Sequence, residues 1–340
     1  MLGRSWFADG DLSHNLLVLR TLCEEGADVN FTTRGSDIYI LRDLIRSCHP
    51  RYTPTHMDAF KLLLKCGASL TRAMHGVVVS RECIPFIQAL LDAGADIEEL
   101  WDDMTPLTRA ASCKNPDVVQ ALIDAGANVN GAGKLALFAA IKPASIRHAY
   151  APTTVATLTT LCKAGADIKK LNDENHSILS YALTMSGPDP IPSVRTTDTV
   201  PAVLEALCQA GADVNFHHRP IPSLIGSFSP EIAEHGDTPL HIAPRARTGI
   251  SVGFGKIPPV DVRARCIEIL ISYGADVNAQ NDRRQTPVHV AMRCGDFECT
   301  KVLTEHGGRW DITDVDGYVP LMLAHRQLKK CLSNYVRSRR

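Results

Sequence analysis

The segment Gly274-Ala275-Asp276-Val277-Asn278 is followed, eight residues after its asparagine, by Thr286-Pro287-Val288-His289-Val290-Ala291. The first phrase recurs along the chain with variations, and its copies begin at Gly26, Gly67, Gly94, Gly126, Gly165, Gly211 and Gly274, with a degraded copy at Gly307. The glycines are unevenly spaced, and the two similar intervals from Gly94 to Gly126 and from Gly274 to Gly307 mark the basic period. The chain is therefore built from repeated units, several of which carry insertions.

An amphipathic helix precedes each copy of the glycine phrase. In 118–123 and 266–271, apolar residues fall at helical spacing with polar residues between them. The glycine then ends the helix, because it adopts the left-handed conformation without strain. In the second phrase, threonine caps a new helix and proline suits its first turn, where no N–H donor is needed. Copies of this phrase begin at Thr105, Ser177, Thr238, Thr286 and Val319.

A helix, the glycine phrase, a polar turn, Thr-Pro-Leu-His and a second helix together resemble the ankyrin repeat, over about residues 8–337. The resemblance implies an all-α repeat, namely an ankyrin-repeat solenoid of helix pairs with short β-hairpin fingers. We interpret 1–340 as a single domain with a reduced N-terminal repeat at 8–35, repeats over 36–315 and a C-terminal cap at 316–340. Insertions rich in Pro, Ser and Gly are predicted at 47–55, 142–152, 186–201, 217–236 and 244–260.

Charge and composition narrow the class of partner. The formal net charge of −1 gives no general attraction to nucleic acid or to an acidic membrane. No apolar run is long enough to span a membrane, and the N-terminal segment lacks the apolar run of a secretory signal. The 11 cysteines do not suggest a disulfide framework. We expect an intracellular monomer, in the cytoplasm or alternatively in the nucleus.

The residues that could carry chemistry have simpler explanations. The resemblance implies that His241 and His289 form hydrogen bonds within and between repeats. The stretch 252–256 resembles part of a phosphate loop but lacks the required glycine spacing and a Ser or Thr after its lysine. His289, Cys294 and Cys299 lack the spacing of a zinc site, and core packing explains them better. We therefore predict no catalytic residue, no cofactor and no metal.

The resemblance also implies that finger tips and first helices line a concave binding surface. Trp101 stands where a polar turn residue is expected, and tryptophan is enriched at binding hot spots. The alternative is that Trp101 packs on Leu100 or on a neighbouring finger. The enlarged finger at 217–236 is the insertion most suited to binding. The candidate partner-binding residues are Arg34, Trp101, Asp102, Asp103, Asp173, Glu174, His217, His218, Arg219, Asp282, Arg283 and Arg284.

These features predict a protein–protein interaction scaffold or adaptor, not an enzyme. One alternative is the substrate-recognition subunit of a ubiquitin ligase, although the short tail after Ala324 leaves little room for an added box domain. Another is a fragment of a larger multidomain ankyrin protein, which the reduced first repeat favours. A third, an enzyme with a site hidden in the insertions, predicts that a small ligand raises the melting temperature.

Overall fold

The fold is a succession of helix pairs. It is described by a computed structural model for residues 12–30, 40–48, 52–141, 151–184, 199–219, 236–245 and 262–324. The α-helices are α1 (Leu12–Glu24), α2 (Ile40–Ser47), α3 (Pro54–Lys65), α4 (Pro85–Asp92), α5 (Pro106–Ser112), α6 (Pro116–Asp124), α7 (Ala136–Ile141), α8 (Ala151–Lys163), α9 (Ile178–Thr184), α10 (Thr199–Gln209), α11 (Pro239–Ile242), α12 (Val262–Ser272), α13 (Pro287–Cys294) and α14 (Phe297–Glu305). Within these ranges, 3-10 helices cover Met74–Val79, Arg81–Cys83 and Ala243–Arg245, and a further helix begins at 320–324.

The two sequence phrases set the helix ends as predicted. Thr105 Oγ1 accepts a hydrogen bond from the backbone N–H of Thr108, 3.2 Å away, at the start of α5. Thr238 and Thr286 begin α11 and α13 with a capping box, and in each helix proline follows the threonine directly. Gly274 follows α12 with a φ of +87°, in the left-handed region that favours glycine.

Contacts divide the chain into two compact units. Unit 1 comprises 1–149 and 159–166, and unit 2 comprises 150–158 and 167–340. In unit 1, the rings of Phe60 and Phe86 meet edge to face with centroids 5.3 Å apart, and Tyr52 meets Phe86 in the same way at 5.9 Å. In unit 2, the core between second helices is formed by Leu207, Ile267 and other fully buried aliphatic residues.

The shortest repeat, which lies between Gly67 and Gly94, has lost its finger. Its first helix is the 3-10 helix Met74–Val79, which starts where a finger would begin. This helix approaches α2 so closely that a Cβ on Gly76 would lie 3.0 Å from the carbonyl oxygen of Arg42 and 3.2 Å from Cβ of Ile45. The short repeat therefore packs directly on its neighbour, and glycine is needed at the contact.

Helices occupy the ends of three stretches that the sequence assigned to insertions. Helix α3 begins at Pro54, α8 at Ala151 and α10 at Thr199, so the predicted boundaries at 55, 152 and 201 are too late. Residues 49–51, 142–150, 185–198, 220–235 and 246–261 lie outside the described residues, as do 31–39 and 325–340. Across the described ranges, the fingers are tight turns, and the β element is one antiparallel bridge between Trp101 and Met104. None of the helices in these ranges has the length and apolar character to cross a bilayer.

Candidate partner-binding surface

Three fingers begin with a side-chain oxygen that closes the turn. The residue seven positions after the repeat glycine is Asn172, Asn281 or Asp314 in these repeats. In each, Oδ1 accepts hydrogen bonds from the backbone N–H groups of the residues two and four positions later, at 2.8–3.1 Å. Such side-chain turns fix the backbone locally. The tips are thus held in a defined conformation by their first residue.

Trp101 occupies this same position and closes its finger in another way. Its backbone exchanges two hydrogen bonds with Met104, at 3.0 and 3.2 Å. Between them, Asp102 and Asp103 have φ values of +54° and +59°, which is the two-residue hairpin that matches the twist of paired strands. Lys134 in the next finger donates its backbone N–H to the carbonyl oxygen of Asp103 at 2.9 Å. The Asp102 and Asp103 side chains remain exposed.

The indole of Trp101 is surrounded by cations from three repeats. The guanidinium carbons of Arg109, Arg72 and Arg42 lie 4.3, 4.8 and 5.1 Å from the ring centroid. The ring of His75 meets the indole edge to face at 5.4 Å. Each cation–π contact contributes about 0.5–1 kcal/mol when partly exposed. We call these five residues the Trp101 cluster. It leaves Trp101 half-buried, packed against arginine and histidine side chains that the sequence analysis did not name.

Carboxylates lie beside two of the three arginines of the Trp101 cluster. The Asp43 carboxylate lies 3.2 Å from Nη2 of Arg42, and Asp102 lies 3.4 Å from Nη2 of Arg109. That same Arg109 nitrogen donates to the backbone carbonyl of Trp101 at 2.8 Å. The cluster is therefore a rigid support for the finger and not an open patch of positive charge. Sequence reasoning missed Arg42 and Arg72 because their only signal is proximity across repeats, and it missed Arg109 although that residue follows Trp101 in the same repeat.

The finger that begins at Asn172 presents one exposed acid. Asp173 is exposed, whereas Glu174 is half-buried and its Oε2 lies 3.3 Å from Nδ1 of His176. Burial lowers the pKa of His176 to about 4. Of the two acidic candidates in this finger, Asp173 is the more exposed.

The enlarged finger contains one incorrect candidate. His217 and Arg219 are exposed, and Nδ1 of His217 lies 2.9 Å from the carbonyl oxygen of Gly236. His218, which we predicted at the tip, is 1% exposed. Its ring stacks on His176 with centroids 4.5 Å apart and parallel planes. His218 stands seven residues after Gly211 and so takes the finger-start position, which faces the neighbouring finger; the prediction for it was wrong.

The finger at Asp282, Arg283 and Arg284 is exposed at all three residues. Arg284 has a φ of +58° at the tip of the turn. Arg283 reaches the next finger, where its Nη2 lies 3.1 Å from Asp316 Oδ2. This finger is therefore the exposed basic tip of unit 2. The remaining candidate, Arg34, lies outside the described residues.

The two phrase histidines have structural roles, in agreement with the sequence analysis. His241 accepts the N–H of Thr238 on Nδ1 at 3.1 Å and donates from Nε2 to the carbonyl oxygen of Gln285 in the next repeat at 2.8 Å. His289 repeats this with Thr286 at 3.1 Å and Tyr318 at 3.2 Å. Burial lowers the pKa of His241 to about 4, so the ring is neutral and its two nitrogens are occupied.

A buried polar network joins the fingers of unit 2. Asp237 is fully buried, 2.8 Å from Nη1 of Arg245, and also accepts from Nδ2 of Asn281 at 2.8 Å. One repeat later, Gln285 accepts from Arg293 at 3.2 Å and donates to Asp314 at 3.1 Å. In both repeats the residue before the capping threonine pairs with an arginine eight positions later. This eight-residue spacing is visible in the sequence as Asp237 with Arg245 and as Gln285 with Arg293.

The described ranges give no evidence of a metal-binding site or of a reactive cysteine. No group of three or more His, Cys, Asp and Glu side chains there is placed to hold a metal ion. Cys299 is buried, but Cys294 is exposed, so core packing explains only the former. Desolvation of its sulfur by surrounding protein atoms raises the pKa of the Cys294 thiol, although the residue as a whole is exposed, and this disfavours the reactive thiolate.

Comparison with known proteins agrees with this geometry. Residues 52–133, 74–170 and 261–334 match the family described as ankyrin repeats (3 copies), and 235–282 match the single ankyrin repeat. Inversin from Gallus gallus is 38% identical over 72 residues, which is 21% of this chain and 6% of inversin. Cyclin-dependent kinase 4 inhibitor B from Bos taurus is 36% identical over 76 residues, which is 22% of this chain and 58% of that protein.

A solved structure shows the same fold. The ankyrin repeat domain of Bcl-3 aligns with a TM-score of 0.52 and 19% identity, over 75% of this chain and 92% of that domain. The match to inversin spans a small part of that relative's length, so the likeness concerns the repeats and not the whole relative. The family model covers more than half of the residues of this chain. The helix pairs, the glycine turns and the phrase histidines also conform to it, so this chain belongs to the ankyrin-repeat family.

Proposed function

We propose that the chain is a protein-interaction scaffold or adaptor that binds its partner through the finger tips and first helices of the repeats. Ankyrin repeats generally mediate protein–protein interaction, and the fold is typically non-enzymatic. The partner is a folded protein or a peptide, bound by a monomeric chain inside the cell. The near-neutral net charge of −1 argues against nucleic acid as the partner.

The observation that carries the proposal is the Trp101 finger. A half-buried indole lies beside two exposed acids, Asp102 and Asp103, on a hairpin held by backbone and guanidinium contacts. A partly exposed aromatic ring in a fixed position loses little entropy on binding, which is the property of interface hot spots. In unit 2, the exposed Arg283 and Arg284 offer the opposite charge, so a partner of mixed charge is favoured.

Proximity labelling in cells compares the wild-type chain with two variants. One carries Asp102→Asn, Asp103→Asn and Trp101→Phe. The control, matched in charge, carries Asp58→Asn and Glu268→Gln on exposed faces of second helices. The proposal predicts that a set of labelled proteins is lost with the finger variant and kept with the control. One such protein, purified, should bind the wild-type chain directly in a calorimeter. Identical labelling by all three chains would show that the finger does not contact a partner.

A further inference from the structure

An asparagine side chain joins neighbouring repeats at four places. It stands four residues after the repeat glycine, as Asn30, Asn130, Asn215 and Asn278. In each case Nδ2 donates to the carbonyl oxygen of the next repeat glycine, at 2.7–3.1 Å. For three of them, Oδ1 is seen to accept the N–H of the residue two positions after that glycine, at 2.7–2.9 Å. A single carboxamide thus satisfies one acceptor and one donor of the next repeat.

Lys169 replaces the asparagine in the repeat that begins at Gly165. The backbone there is unchanged, because Lys169 N–H donates to Oδ1 of Asp167 at 3.0 Å, just as Asn278 N–H donates to Asp276 at 2.9 Å. The lysine side chain cannot accept a hydrogen bond. Within the ranges that the structure describes, no side chain bonds to the carbonyl oxygen of Gly211 or to the N–H of Asp213.

A cavity opens at this joint, within unit 2. Its volume is about 440 Å³, and Lys169, Gly211 and Asp213 form its polar edge. Its apolar wall includes Leu179, which is fully buried, and the half-buried Phe216. The volume falls in the range of ligand sites, and a few placed polar groups on an apolar wall are their usual composition. The lining thus includes Lys169, which replaces the asparagine, and both residues whose backbone groups an asparagine there would bond.

We propose that this cavity binds the side-chain carboxamide of an asparagine or glutamine from the protein partner. The amide nitrogen donates to the carbonyl oxygen of Gly211, the amide oxygen accepts the N–H of Asp213, and the alkyl stem packs against Phe216. The inference rests on the proposed function and names a chemical feature of the partner. The four internal asparagines supply the template for this geometry.

Other side chains fit the cavity less well. A carboxylate can accept the Asp213 N–H, as Glu98 accepts the N–H of Asn128 at 2.7 Å, but it has no donor for the Gly211 carbonyl oxygen. An ammonium group has no acceptor for the Asp213 N–H, and it would lie beside Lys169. A carboxamide carries a donor and an acceptor without net charge, so it can satisfy the Gly211 carbonyl oxygen and the Asp213 N–H together.

Selection of displayed peptides on the full chain tests the inference. Bound peptides should share an asparagine or glutamine at one position, and its replacement by aspartate or leucine should weaken binding roughly tenfold or more. Lys169→Asn fills the cavity with the chain's own amide and should weaken binding equally. Lys170→Asn removes the same charge one residue away, also from an exposed position, and should leave binding unchanged.

The outcomes separate the two proposals. A rise in melting temperature would show that Lys169→Asn is folded and forms the new bridge. Peptides that bind this variant as well as the wild type, or that share no amide residue, would overturn the carboxamide site. If such peptides lose binding with the Trp101 finger variant, the proposed function stands without this site. Failure to select any peptide would count against both.

Discussion

The side chain of Asn278 joins its repeat to the next one at Gly307. Its amide nitrogen lies 3.0 Å from the Gly307 carbonyl oxygen, and its Oδ1 accepts the N–H of Arg309 at 2.9 Å. The donor and acceptor that it satisfies belong to a turn, where no helix partner is available to them. A side chain with one donor and one acceptor on the same planar group therefore sets the distance between two repeats.

Replacing Asn278 by alanine should lower the free energy of unfolding by about 1–2 kcal/mol, since two hydrogen bonds are lost. The residue is half-buried, so water compensates in part and the lower figure is favoured. Urea denaturation followed by circular dichroism gives the change, and hydrogen exchange at the Arg309 amide should become faster. Gln280→Ala, at an exposed position nearby, is the control and should alter neither measurement.

The repeat phase could be predicted from the sequence because glycine and the Thr-Pro pair have strong local conformational preferences. Gly274 and Thr286 determine the backbone conformation within one helical turn of their own position. Gly274 ends one helix and Thr286 begins another, as expected. The candidate site was less predictable. The sequence marks Trp101 as an unusual finger residue, but its contacts are with Arg42, Arg72 and Arg109, which belong to three different repeats. Such contacts depend on how the repeats pack on one another, and residue spacing in one sequence does not give that geometry.

The burial of His218 illustrates the same limit. His218 stands at the first position of its finger, as Trp101 does. The sequence does not indicate on which face of the finger each ring lies. Parallel stacking on His176 removes His218 from solvent, whereas the arginines around Trp101 leave that indole half-buried. Two residues at one position of the repeat can thus differ in accessibility because their neighbours differ.

Replacing Trp101 by alanine should destabilise unit 1 by roughly 2–3 kcal/mol, since three cation–π contacts are lost. Trp101→Phe should retain a good part of the stability, because a smaller ring can still face Arg109. Chemical denaturation of both variants gives the values, with Trp310→Ala as a control on a second partly exposed indole. A loss of less than about 0.5 kcal/mol for Trp101→Ala would contradict the cluster.

Acid should destabilise the chain before its carboxylates titrate. Burial lowers the pKa of His241 from 6.5 to about 4, and that of His75 also to about 4. In the unfolded chain these two histidines therefore bind protons below about pH 6.5, whereas in the folded chain they remain neutral until about pH 4. Stability contributed by the neutral ring is full above about pH 6.5 and falls as the pH is lowered through this window.

For His241 alone, the loss between pH 7 and pH 5 should be about 2 kcal/mol. Urea denaturation at these two pH values gives the difference for the wild type and for His241→Gln, which lacks the titrating ring. The variant should be less stable at pH 7 but should lose less on acidification. An equal loss in both proteins would mean that His241 titrates in the folded chain much as it does in the unfolded one.

Removing one partner of the buried pair of Asp237 and Arg245 should destabilise the fold far more than removing one partner of an exposed pair of similar geometry. Replacing Asp237 by alanine leaves a guanidinium that is 5% exposed without its carboxylate, 2.8 Å away in the wild type, and should cost about 3–5 kcal/mol. Combining it with Arg245→Met removes the buried charge and should restore part of the stability. Asp316→Ala breaks the exposed contact with Arg283 and should cost less than about 1 kcal/mol. Calorimetric unfolding compares the three variants. Similar losses of unfolding free energy for Asp237→Ala and Asp316→Ala would show that other groups or water stabilise the charge of Arg245 when its carboxylate is removed.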